Sequence, residues 1–274
     1  MNEPIIGFDS FRLKLFAARP ELALIERFLP DAQKTRVIAF ECLLHELVDA
    51  ATRIAEPQVA EAKLAWWFGE LDSALLGMPR HPVTRSLLPA TVAAPERGSV
   101  QTIEHATHAM RHAPGASDTA QQIQLVANWF ASLFEWGRHI HLWPAMDVAQ
   151  AARARAVHQL VRQLVRLGTE GSVHILSLPL NLMARHQLSR ADLGEPSSAR
   201  DSATRDQLKA LQGLLVPDLP KDVDLTTRVR CRLDSAMMAR AIVADHPCAR
   251  LVSDLPRLRI TAAWQIWNMA RRGE

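Results

Sequence analysis

Apolar residues along this chain recur every three or four positions, the spacing of amphipathic helices, and no stretch alternates long enough to make a strand. Pro20-Glu21 opens a short helix carried by Leu22, Ile25, Phe28 and Leu29, which Pro30 ends. The next predicted helix runs from about Asp31 to Ala55, with Val37, Ile38, Phe40, Leu44, Leu47, Val48 and Ala51 as its apolar stripe and Asp31 as its cap. Glu56-Pro57 begins a third, bearing Val59, Leu64, Trp66, Trp67, Leu71 and Leu75 and ending near Gly77 and Pro79. Residues 82–99 hold three prolines and read as short helix and loop. Ser117 or Asp118 caps a helix reaching Trp143, in which Trp129 and Trp136 stand one heptad apart and read as core. Further helices are expected over 147–167, in a short run after Pro179, and over 207–214, 225–245 and 258–272. Residues 195–206, rich in serine with Pro196, read as a mobile polar loop. The pattern predicts an all-α helical bundle in a single domain spanning 1–274.

Composition narrows the function. The 274 residues are 48% hydrophobic and 22% charged, enough for a sizeable core. Thirty-two Lys and Arg against 29 Asp and Glu give a formal charge of +3, too small for a nucleic-acid binder. The chain has no tyrosine, which removes that side chain from any catalytic scheme, and its 11 glycines fall below the usual share of about 7%. Cys42, Cys231 and Cys248 lie far apart without a CxxC pair, so neither a zinc site nor a disulfide framework is indicated. The first 16 residues carry Glu3, Asp9, Arg12 and Lys14 and lack the apolar core of a signal peptide. The uncharged run Thr119 to Phe134 contains three glutamines and an asparagine and does not qualify as a membrane span. The expectation is a soluble cytoplasmic protein, with at most peripheral contact with a membrane.

Generic catalytic motifs are missing. There is no glycine-rich phosphate loop, GxSxG elbow, HExxH or dinucleotide fingerprint. His139 and His141 point about 200° apart on a helix and do not share a metal. His105 and His108 share a face, with Glu104 beside them, in a solvated or capping role.

Two blocks carry a resemblance. The stretch AFECLLHELVDAATRIAEPQVAEAKLAWWFGELDSALLGMPRHPVTRSLLP, Ala39 to Pro89, contains Glu56-Pro57, Lys63-Leu64, Trp66-Trp67, Glu70-Leu71 and a Gly77-x-Pro79-x-His81-Pro82 turn. The second, Gln159 to Leu193, contains Leu178-Pro179, Leu182, Ala184-Arg185 and Leu188-Ser189. Together they resemble the squalene/phytoene synthase family. The resemblance implies the isoprenoid (terpenoid) synthase type of helical bundle, and an activity that joins isoprenoid diphosphates. In that family two acidic helix motifs hold Mg²⁺, a hard cation that takes oxygen ligands and neutralises the leaving diphosphate.

The chain departs from the family at those motifs. The first keeps Glu46 and Asp49 as an i, i+3 pair, but its leading aspartate is His45. In the second, the aspartates align with Arg166 and Glu170 and the asparagine with Arg162, while Ser177 replaces a tyrosine. Arg155, His158, Arg162 and Arg166 then form one basic stripe at spacings of 3, 4 and 4. The stripe is either a solvated outer face or, if the resemblance holds, a cavity-facing row. In the second case the arginines pair with Glu46 and Asp49 or bind a phosphate or diphosphate directly. His45, Arg53, Trp67 and Ser177 are the expected cavity-lining residues.

The run Glu56-Pro57, Glu61, Leu64, Trp66-Trp67 resembles the family's non-catalytic branch, which includes a mitochondrial complex I assembly factor. That implies a binding or assembly role without a required cofactor, toward an isoprenoid or lipid ligand or a protein partner. The alternative is an active Mg²⁺-dependent prenyltransferase using Glu46, Asp49 and Glu170 as residual ligands. Asp49 and Arg53 read as a surface pair, and His81-Pro82 as turn-shaping beside Arg80 and Arg85. Trp66 and Trp67 cannot face the same way, so one is core and the other borders a cavity or partner. The C-terminal helix, with Trp264, Ile266, Trp267, Arg271 and Arg272, reads as core packing or as a peripheral membrane or partner contact.

Overall fold

A computed structural model describes residues 7–89, 99–143, 145–170, 177–257 and 263–268, and among them there is no strand. The chain divides into two compact units: Met1–Arg111 with Ser132–Met146, and His112–Ala131 with Asp147–Glu274.

In the first unit α1 (Phe8–Ala18) leads into α2 (Leu22–Ile25) and a 3₁₀ turn, Glu26–Phe28. They are followed by α3 (Asp31–Thr52), α4 (Pro57–Leu75), α5 (Pro82–Leu87) and α6 (Ser99–Arg111). The end of α7 (Thr119–His139) also belongs here. Helix α3 is the centre, packed by α1, α4, α5 and α6. From Val37 to Thr52 only His45, Val48 and Asp49 escape burial, because the apolar positions wrap almost the whole helix. Phe40 anchors an aromatic cluster, stacked against Phe134 and Trp136 and meeting the edge of Trp143 at 4.9 Å. Gly137 lets Trp143 approach: a Cβ there would lie 3.2 Å from that ring.

The second unit begins with the first part of α7, whose N-cap Asp118 accepts a bond from the Gln121 amide, as the sequence suggested. Helix α8 (Val148–Glu170) is followed by α9 (Leu180–Arg185), α10 (Ser198–Leu214), α11 (Leu225–Ile242) and α12 (Pro247–Asp254). Helix α8 is the centre here, packed by α10, α11 and α12. It touches α12 so closely that a Cβ on Gly168 would stand 3.1 Å from the Cys248 carbonyl oxygen.

Three expectations change. The stretch 195–206 is not a polar loop: α10 starts at Ser198, capped by Ser197, and buries Arg200, Asp201, Ala203 and Thr204. Its polar residues hid an inward face that tertiary packing supplies. Helices α1 and α12 were not anticipated, α1 because its charges interrupt a short apolar pattern. Of the helix expected over 258–272, residues 263–268 are helical, with Ile266 buried and Trp264 and Trp267 exposed, and the rest lies outside the described residues.

Much of the basic excess serves the fold. The Arg111 guanidinium donates to the carbonyls of Ala50 and Ala51 at the end of α3. Arg205 does the same for Ile242, Ala244 and Asp245 where α11 stops. A guanidinium satisfies carbonyls that a helix end leaves unbonded, and its charge suits that end of the dipole.

Candidate functional site

Helix α3 carries Glu46 and Asp49, three apart, and Arg53 at its C-cap follows four residues on, so one face presents all three. Glu46 is buried, and two ammonium groups reach it: Lys14 of α1 at 2.6 Å from Oε1 and Lys63 of α4 at 2.8 Å from Oε2. Lys63 also lies 3.6 Å from Asp49 Oδ2, and Arg53 lies 3.5 Å from Asp49 Oδ1. Three cations therefore face two carboxylates. Burial alone would raise the Glu46 carboxyl, but the bonds from Lys14 and Lys63 outweigh it and hold the group below its ordinary range. His45, part-buried on the same helix, is pushed down to about 4 by burial and then by Arg19, so it is neutral at neutral pH. Burial and the neighbouring Glu41 and Glu46 push the Cys42 thiol up to about 12, which makes it unreactive. The Asp49–Arg53 pair is the surface contact the sequence suggested, with Arg53 exposed.

The Gly-x-Pro-x-His-Pro turn follows α4 and is tied back to it. Glu70, buried in α4, accepts bonds from the amides of Arg80 and His81 at 2.8 Å each and from the Thr84 hydroxyl. Burial raises the Glu70 carboxyl, and those donors more than reverse it, leaving the group below its ordinary range. His81 caps α5, its Nδ1 accepting from the Val83 amide, while Phe11, Trp66 and Trp67 surround its ring at 4.5, 5.5 and 4.8 Å. Trp67 is core and Trp66 is exposed, the division expected for adjacent tryptophans on one helix. This block therefore builds a rigid corner, in which Glu70, His81 and Thr84 are architectural.

In the second unit the basic stripe of α8 turns inward at its start. Arg155 is 1% exposed, with Nε 2.6 Å from Thr227 Oγ1 and Nη2 3.5 Å from Asp224 Oδ1. His158 Nδ1 lies 2.8 Å from Asp234 Oδ2. Gln159 and Gln163 are buried on the same helix. A solvated outer face is therefore excluded for Arg155 and His158. Arg162 and Arg166, one and two turns further, are half-buried and engaged in polar or electrostatic contacts. Glu170 closes α8, and its side chain lies outside the described residues. Ser177 is buried just before Leu178-Pro179, where the Leu180 and Asn181 amides bond to Ala116 and Ser117 carbonyls. Of the two histidines on α6, His108 lies 3.3 Å from Glu61, which also holds Arg111 at 3.0 Å.

Sequence reasoning missed Lys14, Asp224, Thr227 and Asp234 and placed Lys63 only among the residues of the first resembling block. A signal was present for Lys14: Phe8, Phe11 and Leu15 keep helical spacing and predict the helix that carries it. For the three α11 residues no local signal exists.

No described helix is long and apolar enough to cross a membrane. No family model matches the sequence, and no curated protein matches it. The fold does have solved counterparts. One is a dehydrosqualene synthase crystallised in complex with ligand, at a TM-score of 0.60 and 13% identity, covering 93% of this chain and 98% of that one. Another is the squalene synthase HpnC from Alicyclobacillus acidocaldarius, at a TM-score of 0.52 and 13% identity, covering 97% and 94%. The chain has the all-α fold of these synthases.

Proposed function

We propose that this chain is a non-catalytic binding protein on a squalene-synthase-type scaffold, taking an isoprenoid or phosphate-bearing ligand or a protein partner. The observation that carries this reading is Lys63, whose ammonium lies against both Glu46 and Asp49. Magnesium needs carboxylate oxygens whose charge is uncompensated, in an octahedral arrangement that ammonium groups do not share. Here Lys14, Lys63 and Arg53 already supply more positive charge than the two carboxylates carry. The residues at this position do not suit a resident Mg²⁺. The resemblance to the family's non-catalytic branch supports the same reading. Arg162 and Arg166, half-buried on α8 beyond the Arg155 and His158 contacts with α11, are the proposed anion contacts.

The competing reading is a Mg²⁺-dependent prenyltransferase, favoured by the survival of Glu46 and Asp49 on one helix face. Incubation of the purified protein with Mg²⁺ and farnesyl or geranylgeranyl diphosphate separates the two. The expected result is no pyrophosphate release, with any diphosphate binding by calorimetry unchanged by EDTA. Pyrophosphate release together with a C30 or C40 product overturns the proposal.

A further inference from the structure

Helix α4 should be solvated on its outer side, yet from Val59 on its exposed positions are Val59, Ala62, Ala65, Trp66, Gly69 and Asp72, followed by Leu76 at its C-cap, so Asp72 is the one charge in an otherwise uncharged series. Val59 is 55% exposed, Trp66 52% and Leu76 56%. An isolated exposed leucine means nothing, but a file of apolar residues along one helix marks a contact surface. Met78, 61% exposed, extends it into the following turn. There the surface becomes basic. Arg80 is exposed, with its guanidinium 3.3 Å from Ser73 Oγ and 3.7 Å from Glu70 Oε2, and Arg85 is exposed on α5 near the His81 ring that Trp66 touches.

We infer that the outer face of α4 and the turn after it seat the protein on an anionic lipid surface, α4 lying in the interfacial plane with Trp66, Leu76 and Met78 inserted and Arg80 and Arg85 at the headgroups. The apolar file from Val59 to Leu76 is about 25 Å long at 1.5 Å per residue, which suits a helix lying along a bilayer rather than across it. Tryptophan prefers this interface because its ring is apolar and its indole N–H is polar. The two arginines give the charge complementarity that selects a phospholipid surface over a neutral protein face. The turn is already rigid, held by Glu70 through the Arg80 and His81 amides, so docking orders little new chain. This surface is independent of the Glu46 ion pairs and of the proposed ligand.

Sedimentation with vesicles tests it. Full-length protein should pellet with vesicles containing 30 mol% (roughly the anionic fraction such surfaces respond to) phosphatidylglycerol and not with pure phosphatidylcholine. The double variant L76S/M78S, altered at two exposed positions, should bind more than about ten-fold more weakly. R85E should weaken binding by at least about five-fold, and salt should release the protein. The inference is overturned if the native protein stays in the supernatant with anionic vesicles. It is equally overturned if L76S/M78S binds as tightly as the native chain, or if the native chain is a dimer that L76S/M78S converts to monomers, since a second copy then covers the face. Circular dichroism of both variants confirms that the helices remain.

Discussion

The Lys63 ammonium sits 2.8 Å from Glu46 Oε2, joining the middle of α4 to the centre of α3 at the position where the synthase resemblance implies a metal ligand. A cation that belongs to the chain cannot leave with a product. The acidic pair is thereby fixed as part of the fold, and several measurable consequences follow from it and from the contacts around it.

Removing Lys63 should leave the Lys14 ammonium, 2.6 Å away, to face Glu46, whose side chain is 7% exposed. K63M should lower stability by about 1–2 kcal/mol, between the cost of breaking a surface pair and a buried one. Urea unfolding measures it, and an unchanged midpoint would show that the pair contributes nothing to the fold.

Glu70 should matter more. E70A removes the acceptor shared by the Arg80 and His81 amides and the Thr84 hydroxyl, at a cost of about 2–4 kcal/mol. E70Q, which keeps one carbonyl oxygen, should lose less. Thermal unfolding of the two variants orders them.

Acid should unfold the protein in two stages with one sign. His45 titrates near 4 in the fold and near 6.5 when unfolded, so between those values the unfolded chain binds the extra proton and stability falls as pH drops. Glu46 is lowered from its ordinary 4.5, so its contribution is present above that value and is lost on further acidification. Unfolding free energy measured from pH 7 to 4 should decline, and H45Q should flatten the decline. An identical slope in H45Q would refute the assignment.

In the second unit, R155M should strand Asp224 among buried neighbours and cost about 3 kcal/mol. A fall of under about 0.5 kcal/mol in chemical denaturation, the range of an ordinary surface change, would contradict the burial of this pair.

Gly168→Ala should cost about 1–3 kcal/mol through overpacking, because the new methyl meets the Cys248 backbone 3.1 Å away and that backbone cannot swing aside as a flexible side chain would. The midpoint of thermal unfolding tests it against G213A, where a Cβ meets nothing within 4 Å.

Helix periodicity is local, and for that reason the sequence alone determined the all-α class, the bounds of α3, α4 and α8 to within a few residues, and that Trp66 and Trp67 face different ways, while the structure decided that Trp67, expected at a cavity, is the core residue. A cap such as Asp118 bonds to an amide three residues away and was equally legible. The polar stretch 195–206 misled because its serines and arginines face a partner helix that periodicity does not reveal. Charge partners were decided only by the tertiary structure. Lys14 meets Glu46 across 32 residues and His158 meets Asp234 across 76, and no spacing rule joins residues so far apart. The acidic pair was visible in the sequence as two carboxylates on one face. That ammonium groups from two other helices neutralise it is a property of how α1, α3 and α4 pack, because only packing sets the distance on which an ion pair depends.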